Sequence, residues 1–127
     1  VAAVNVPVVT SADYVFDVRC LPNPHWEPAI REFNGMHPAI VEWLERHDDV
    51  RRMLADIRQF LEHWLPHYRK QDRAYVTVAI GCTGGQHRSV YIVERLAEIF
   101  RAQFDHLIVK HREIWDHMER RSPAAKD

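Results

Sequence analysis

The stretch VTVAIGCTGGQHRSVYIVERLAEIF, residues 76–100, decides the fold of this 127-residue chain. It begins with a β-branched run that is apolar on both faces, as in a central parallel strand. A glycine-rich turn follows at 81–86, and the apolar residues after it recur at the three-four spacing of a helix. A buried strand, a tight turn and a helix in this order are typical of an α/β domain.

The flanking segments predict an α/β domain whose small, mostly parallel sheet is flanked by helices. Pro66 is expected to end the second helix, because proline donates no N–H and clashes with the preceding turn. We expect an N-terminal arm or edge strand at 1–12, one domain at 13–121 and a frayed tail at 122–127. The predicted elements are strands at 12–19, 75–80 and 106–110, and helices at 38–47, 50–65, 88–103 and 113–121.

Composition and charge indicate one soluble globular domain. Lys and Arg number 17 against 18 Asp and Glu, so the net charge is −1 with nine neutral histidines. This balance excludes a strongly basic nucleic-acid binder, although half-charged histidines near pH 6.5 would move the total to roughly +3 to +4. The apolar runs are too short to span a bilayer, and the start lacks the pattern of a signal peptide. We therefore expect a cytoplasmic protein without membrane contact.

The glycine-rich turn is predicted to bind a phosphate. Glycines let backbone N–H groups converge, and the start of the helix adds unpaired donors and partial positive charge. Thr83 and Ser89 add hydroxyl groups, while His87 and Arg88 add charge, and arginine can hold a phosphate through two parallel hydrogen bonds. No Gly-Lys-Ser/Thr follows, so the turn is not a nucleotide P-loop. The alternative is a turn whose glycines serve packing alone.

Cys82 gives the same turn a second interpretation. Cys82, five residues and then Arg88 resemble the phosphate loop of cysteine-dependent tyrosine phosphatases, whose thiolate attacks phosphorus. Those enzymes usually carry a histidine at the place of Gly81, and Asp17 could act as their general acid only if the fold brings it there. Otherwise Cys82 is a small residue that lines the end of the strand.

Neither a metal site nor a cofactor is expected from the sequence. Cys20 and Cys82 form no Cys-x-x-Cys pair, and the histidines are scattered along the chain. His63 and His67 are four residues apart, but Pro66 is expected to interrupt the turn between them.

Taken together, four blocks resemble the C-terminal domain of the RNase adapter protein RapZ family. These blocks are Phe16–Arg19, Leu21–Trp26, Thr77–Val90 without Gln86, and His111–Arg112. The resemblance implies a fold similar to the sugar-phosphate-binding part of phosphofructokinase and binding of glucosamine-6-phosphate. It also implies a non-catalytic adapter that binds small regulatory RNA and RNase partners and forms homo-oligomers.

The resemblance implies that nine residues bind the ligand. Independently of the family, the charge of Asp17 suits the ammonium of an amino sugar, and a rigid Pro-Asn-Pro turn would fix the direction of His25. The nine residues are Thr83, Gly84, Gly85, His87, Arg88 and Ser89 around the phosphate, with Asp17, His25 and Arg46 completing the pocket.

The basic residues near the C-terminus are the candidates for RNA contact. Family members carry a strongly basic tail, whereas here acidic residues are interleaved with Lys110, Arg112, Arg120 and Arg121. Since affinity for nucleic acid comes mainly from neutralised phosphates, we expect weak, salt-sensitive RNA binding. The alternative is a solvated helix. Trp115 and Met118 on this helix are expected to face the core or a neighbouring subunit rather than a base.

Overall fold

The computed structural model describes residues 12–70, 75–83, 86–104 and 106–111. In this part of the chain, β1 (Tyr14–Asp17) and β2 (Val78–Gly81) form a two-stranded parallel sheet. The helices are a one-turn 3-10 helix (Pro24–Trp26), α1 (Pro38–Glu45), α2 (Asp48–Lys70) and α3 (Arg88–Phe100). The predicted α/β class is therefore confirmed, while the likeness to phosphofructokinase stays a prediction.

One amphipathic face packs α2 onto the molecule, and the apolar residues of this helix recur at three-four spacing. Ile57 and Leu61 lie one turn apart and are both 2% exposed. Phe60 contacts Tyr14 and Phe16, which share one face of β1, with ring centroids 5.2 and 5.6 Å away in edge-on geometry. These contacts fix the long helix against the sheet.

The predicted end of α2 at Pro66 is wrong, since the helix continues to Lys70. A proline inside a helix removes one hydrogen bond and costs about 3 kcal/mol relative to alanine. The turn beyond it is nevertheless held by tertiary contacts, because the hydroxyls of Tyr68 and Tyr14 lie 2.8 Å apart. Their rings also meet edge-on, with centroids 6.0 Å apart. Packing against β1 therefore overrides the local preference.

The core is formed by side chains of α1, α2 and α3 and by Val18, which directly follows β1. Tyr14 and Phe16 of β1 pack against it. The core includes two aromatic residues of α3, Tyr91 and Phe100. α3 ends at Phe100, and turns occupy the three following residues, which we expected to be helical. The largest described side chains that are completely inaccessible, or nearly so, are Val18, Pro24, Ile40, Leu44, Val50, Val90 and Ile92.

The predicted third strand at 106–110 is also wrong, because these residues have no regular secondary structure. Leu107 and Val109 instead line an apolar cavity of about 630 Å³ together with residues of α2, β2 and α3. The next residue described, His111, is buried, and its Nε2 lies 2.7 Å from Oε2 of Glu94 on α3. A strand needs backbone partners as well as an alternating pattern, and the pattern alone does not supply them.

Several predictions fall on residues outside the described ranges. These are the N-terminal arm apart from residue 12, the helix at 113–121 and the tail at 122–127. Among the described helices, none combines the length and apolar composition of a membrane span.

Candidate functional site

The loop between β2 and α3 lies at the edge where the two parallel strands end. Asp17 is opposite Gly81 in the register, and the N–H of Val18 donates to the carbonyl oxygen of Gly81 at 2.9 Å. In α/β sheets this carboxyl-terminal edge is the usual place for a ligand. The sheet therefore brings Asp17 to the start of the predicted phosphate loop.

Cys82 and Ser89 are joined across the loop. The N–H of Ser89, in the first turn of α3, donates to Sγ of Cys82 at 3.3 Å, and the thiol lies 3.2 Å from Oγ of Ser89. Ser89 is 7% exposed, whereas Thr83 is exposed. Sequence spacing did not predict this contact, and its effect is to hold the sulfur over the amino end of a helix, where negative charge is stabilised.

Arg88 is almost completely buried, with 3% of its surface exposed. Its NH1 donates to the carbonyl oxygens of Arg19 and Leu21, at 2.7 and 3.0 Å. Its Nε is buried and has no hydrogen-bond partner among the described residues. The guanidinium thus supports the segment that follows β1 and keeps one donor uncommitted.

His87 is buried against the segment that follows β1. It is 6% exposed, and its Nε2 donates to the carbonyl oxygen of Arg31 at 2.8 Å. Burial lowers the pKa of His87, and the charges of His25 and Arg88 add to this, whereas hydrogen bonds to the backbone of Arg31 and Phe33 oppose it. The imidazole is therefore neutral at pH 7, which corrects the expectation that His87 adds charge to the loop.

Asp17 is engaged by a neighbour at this edge. Nε and NH2 of Arg19 donate to its Oδ2 at 2.9 and 2.6 Å, and the N–H of Arg19 donates to Oδ1 at 2.9 Å. Hydrogen bonds from the Arg19 side chain, followed by that from its backbone, hold the pKa of Asp17 below its ordinary value. The carboxylate that we expected to meet an ammonium is already paired with a guanidinium.

His25 and Arg46 are placed differently. His25 is exposed on the 3-10 helix, its N–H is capped by Oδ1 of Asn23 at 3.0 Å, and its charge acts on His87. Arg46 follows α1 and pairs with Glu42 at 2.6 Å, with 64% of its side chain exposed. No hydrogen bond or ion pair among the described residues joins Arg46 to the loop.

Gly35 belongs to the site although the sequence analysis did not single it out. Its N–H donates to the carbonyl oxygen of Gln86 at 2.7 Å. A Cβ at this position would overlap the carbonyl oxygen of His87 and would lie 2.7 Å from the nitrogen of Tyr91. Only glycine allows the segment around residue 35 to approach the start of α3 so closely. An isolated glycine between Asn34 and Met36 carries no sequence signal of this contact.

The other predicted site residues are only partly described. Gly84, Gly85, Arg112, Arg120 and Arg121 lie outside the described residues, and Lys110 is exposed.

The reason for rejecting a metal at two of the histidines was wrong, because His63 and His67 share one continuous helix with ring centroids 5.6 Å apart. Within the described ranges, however, no three His, Cys, Asp or Glu side chains form a group that could hold a metal ion.

Comparison with known proteins assigns the chain to a family. The family model of the RapZ C-terminal domain matches residues 4–115. A nucleotide-binding protein of Methylobacillus flagellatus is 56% identical over 103 residues, which are 81% of this chain and 37% of that protein. Nucleotide-binding proteins of Chromohalobacter salexigens and Hahella chejuensis are 55% and 50% identical over 107 residues, 84% of this chain and 36% and 37% of theirs. The chain thus spans little more than a third of these relatives, and it belongs to the RapZ C-terminal domain family.

Proposed function

We propose that this chain is a cytoplasmic, non-catalytic adapter domain that senses a phosphorylated amino sugar resembling glucosamine-6-phosphate. The phosphate binds at the loop between β2 and α3, and the sugar extends along the segment after β1. Family membership supports the adapter role. The proposed ligand-binding residues are Asp17, His25, Arg46, Thr83, Gly84, Gly85, His87, Arg88 and Ser89.

The observation that carries this proposal is the state of Arg88. A buried guanidinium is costly unless an anion or a full set of acceptors compensates it. Here the hydrogen bonds of Arg88 go to neutral carbonyl groups, and the buried Nε has no partner among the described residues. An anion beside the first turn of α3 would meet this donor, the helix amino end and the Ser89 hydroxyl together.

Calorimetry with glucosamine-6-phosphate tests the proposal. We expect binding to the unmodified protein, weaker binding by Arg88→Lys and Thr83→Val, and unchanged binding by Arg101→Lys, an exposed arginine beyond α3. Thr83→Val is included because Arg88 also supports the backbone after β1, whereas Thr83 is exposed. No heat at millimolar ligand, or equal binding by all four proteins, would remove the pocket assignment.

The contact between Cys82 and Ser89 favours a second candidate, a cysteine-dependent phosphatase. Sγ of Cys82 lies at the amino end of α3 beside the Ser89 hydroxyl, and from there it could attack phosphorus, so that an S–P bond forms, the P–O bond to the leaving alcohol breaks and that alcohol takes up the thiol proton. The direction of Arg88, towards the carbonyls of Arg19 and Leu21, weighs against it. Turnover of an aryl phosphate that is lost in Cys82→Ser and kept in Cys20→Ser would support it, and turnover that survives Cys82→Ser would exclude it.

Small regulatory RNA, RNase and further copies of the chain are the partners that family membership suggests. The RNA contact is proposed at Lys110, Arg112, Arg120 and Arg121. Each neutralised phosphate should add about 0.7 to 0.9 to the slope of log affinity against log salt. A gel shift over a salt series measures this slope, and a shift insensitive to salt would contradict the contact. Chromatographic sizing tests the homo-oligomer.

A further inference from the structure

Trp26 exposes a large aromatic surface on a rigid support. Its side chain is among the most exposed of the large apolar residues described, at 78%. The buried Pro24 anchors the 3-10 helix, the N–H of Trp26 donates to the carbonyl oxygen of Asn23 at 3.2 Å, and that of Glu27 donates to Pro24 at 2.9 Å. The backbone beneath the indole is therefore already ordered, so a ligand would not have to order it.

This indole lies beside His25, one of the proposed ligand-binding residues. Its ring meets the ring of His25 edge-on, with centroids 5.4 Å apart. The start of α3 bonds to this segment on both sides of Trp26, because NH1 of Arg88 donates to the carbonyl oxygen of Leu21 and Nε2 of His87 donates to that of Arg31. The segment that carries Trp26 and His25 is therefore held to the residues at the start of α3.

The ion pair between Asp17 and Arg19 makes Asp17 a poorer partner for the ammonium of an amino sugar. Both oxygens of this carboxylate accept hydrogen bonds from Arg19, so an ammonium would meet an ion pair rather than a single negative charge. The face of an indole attracts a cation through its ring quadrupole and needs no counter-charge, and tryptophan is the strongest aromatic side chain in this respect. Trp26 offers such a face, and the tryptophan on α2, Trp64, is less exposed at 42%.

We propose that Trp26 determines specificity for an amino sugar, with its indole face contacting the ammonium while the start of α3 holds the phosphate. The inference rests on the proposed function, because it takes the phosphate site as given. It separates two tasks, since the phosphate contacts supply affinity for any sugar phosphate and Trp26 supplies the preference for an amino group.

Calorimetry with glucosamine-6-phosphate, glucose-6-phosphate and inorganic phosphate tests this division. The variants are Trp26→Leu, which removes the aromatic face, Trp26→Phe, which keeps a weaker one, and Trp64→Leu as the matched control. We expect Trp26→Leu to weaken glucosamine-6-phosphate by about two- to five-fold, the strength of an exposed cation–π contact. Inorganic phosphate should bind as before, Trp26→Phe should recover part of the loss, and Trp64→Leu should behave as the unmodified protein.

The outcomes separate this inference from the function on which it rests. If the unmodified protein binds the sugar phosphates and Trp26→Leu binds them equally well, the specificity role is wrong and the phosphate site stands. Equal losses for glucosamine-6-phosphate and glucose-6-phosphate would overturn the ammonium contact. An unmodified protein that binds none of the three ligands would overturn the proposed function and this inference together.

Discussion

At Gly35 one hydrogen atom in place of a side chain sets the distance between the segment after β1 and the start of α3. An added Cβ would overlap backbone at His87, lie 2.7 Å from the nitrogen of Tyr91 and lie 2.9 Å from Cβ of Val90. Backbone in the first turn of a helix cannot move aside cheaply. We expect Gly35→Ala to destabilise the protein by about 1 to 3 kcal/mol, as overpacking does.

Urea unfolding measures this loss, and Gly81→Ala is the matched control. A Cβ at Gly81 would meet nothing within 4 Å, so that change should leave the free energy of unfolding nearly unaltered. Similar stabilities for the two variants would show that the close approach at Gly35 is not needed.

His87 gives stability a dependence on pH. Its folded-state pKa is lowered, chiefly by burial, so the folded protein binds this proton less readily than the unfolded chain. Its contribution is complete above the unfolded value of about 6.5 and is lost as the pH falls through that value towards the lower, folded one. We expect the free energy of unfolding to decrease between about pH 7.5 and 5.5.

Urea unfolding across this range, for His87→Gln and the control His106→Gln, assigns the effect. Glutamine can still donate to the carbonyl oxygen of Arg31 but does not titrate. The decrease should be smaller in His87→Gln and unchanged in His106→Gln, whose side chain is exposed. An equal decrease in all three proteins would contradict the assignment to His87.

At the scale of elements, α2 carries a local cost at Pro66. The proline leaves the carbonyl of the residue four positions earlier without its helical donor. We expect Pro66→Ala to raise the free energy of unfolding by about 1 to 3 kcal/mol and to increase helical circular dichroism slightly. Gln59→Ala, an exposed change within α2, should shift stability by no more than a few tenths of a kcal/mol. Equal effects of the two changes would mean that the helix bears no strain at Pro66.

The fold could be predicted where the decisive interactions are local. Residues 76–100 contain the apolar run, the glycine turn and the helical spacing within one stretch, and the structure has β2 and α3 there. Local sequence did not predict that the helix continues past Pro66 or that residues 106–110 form no strand. The helix continues past the proline because Tyr68 contacts Tyr14, which is 54 positions away. Residues 106–110 have the apolar pattern of a strand, but they are not paired with a neighbouring strand.

The candidate site shows the same division. Its location follows from the order strand, loop and helix, because parallel strands end at one edge. The directions of its side chains do not, since Arg88 bonds to carbonyl oxygens 69 and 67 positions away and His87 to one 56 positions away. Likewise, the pairing of Asp17 with Arg19 depends on how the chain turns after β1, so the sequence predicts a ligand contact for Asp17 and not this ion pair.

At the scale of the whole molecule, the distribution of charge matters more than the total of −1. His87 is buried and its pKa is lowered, so it contributes little charge near neutral pH. Six other histidines of the described residues, at 25, 37, 47, 63, 67 and 106, are exposed or half-buried. The nine histidines of the sequence make the total charge depend on pH, whereas His87 adds little to that dependence near neutral pH because its pKa is lowered.

The histidine content predicts that the proposed RNA binding depends on pH. Additional surface charge at pH 6.0 neutralises more phosphates, so we expect tighter binding and a steeper loss of affinity with salt than at pH 7.5. A gel shift with one small RNA at both pH values and several potassium chloride concentrations measures both quantities. The double variant Arg120→Ala/Arg121→Ala should lower the salt slope by about 1.4 to 1.8 if both arginines contact phosphates. Equal affinity at the two pH values, or an unchanged slope in the double variant, would place the RNA contact elsewhere or exclude it.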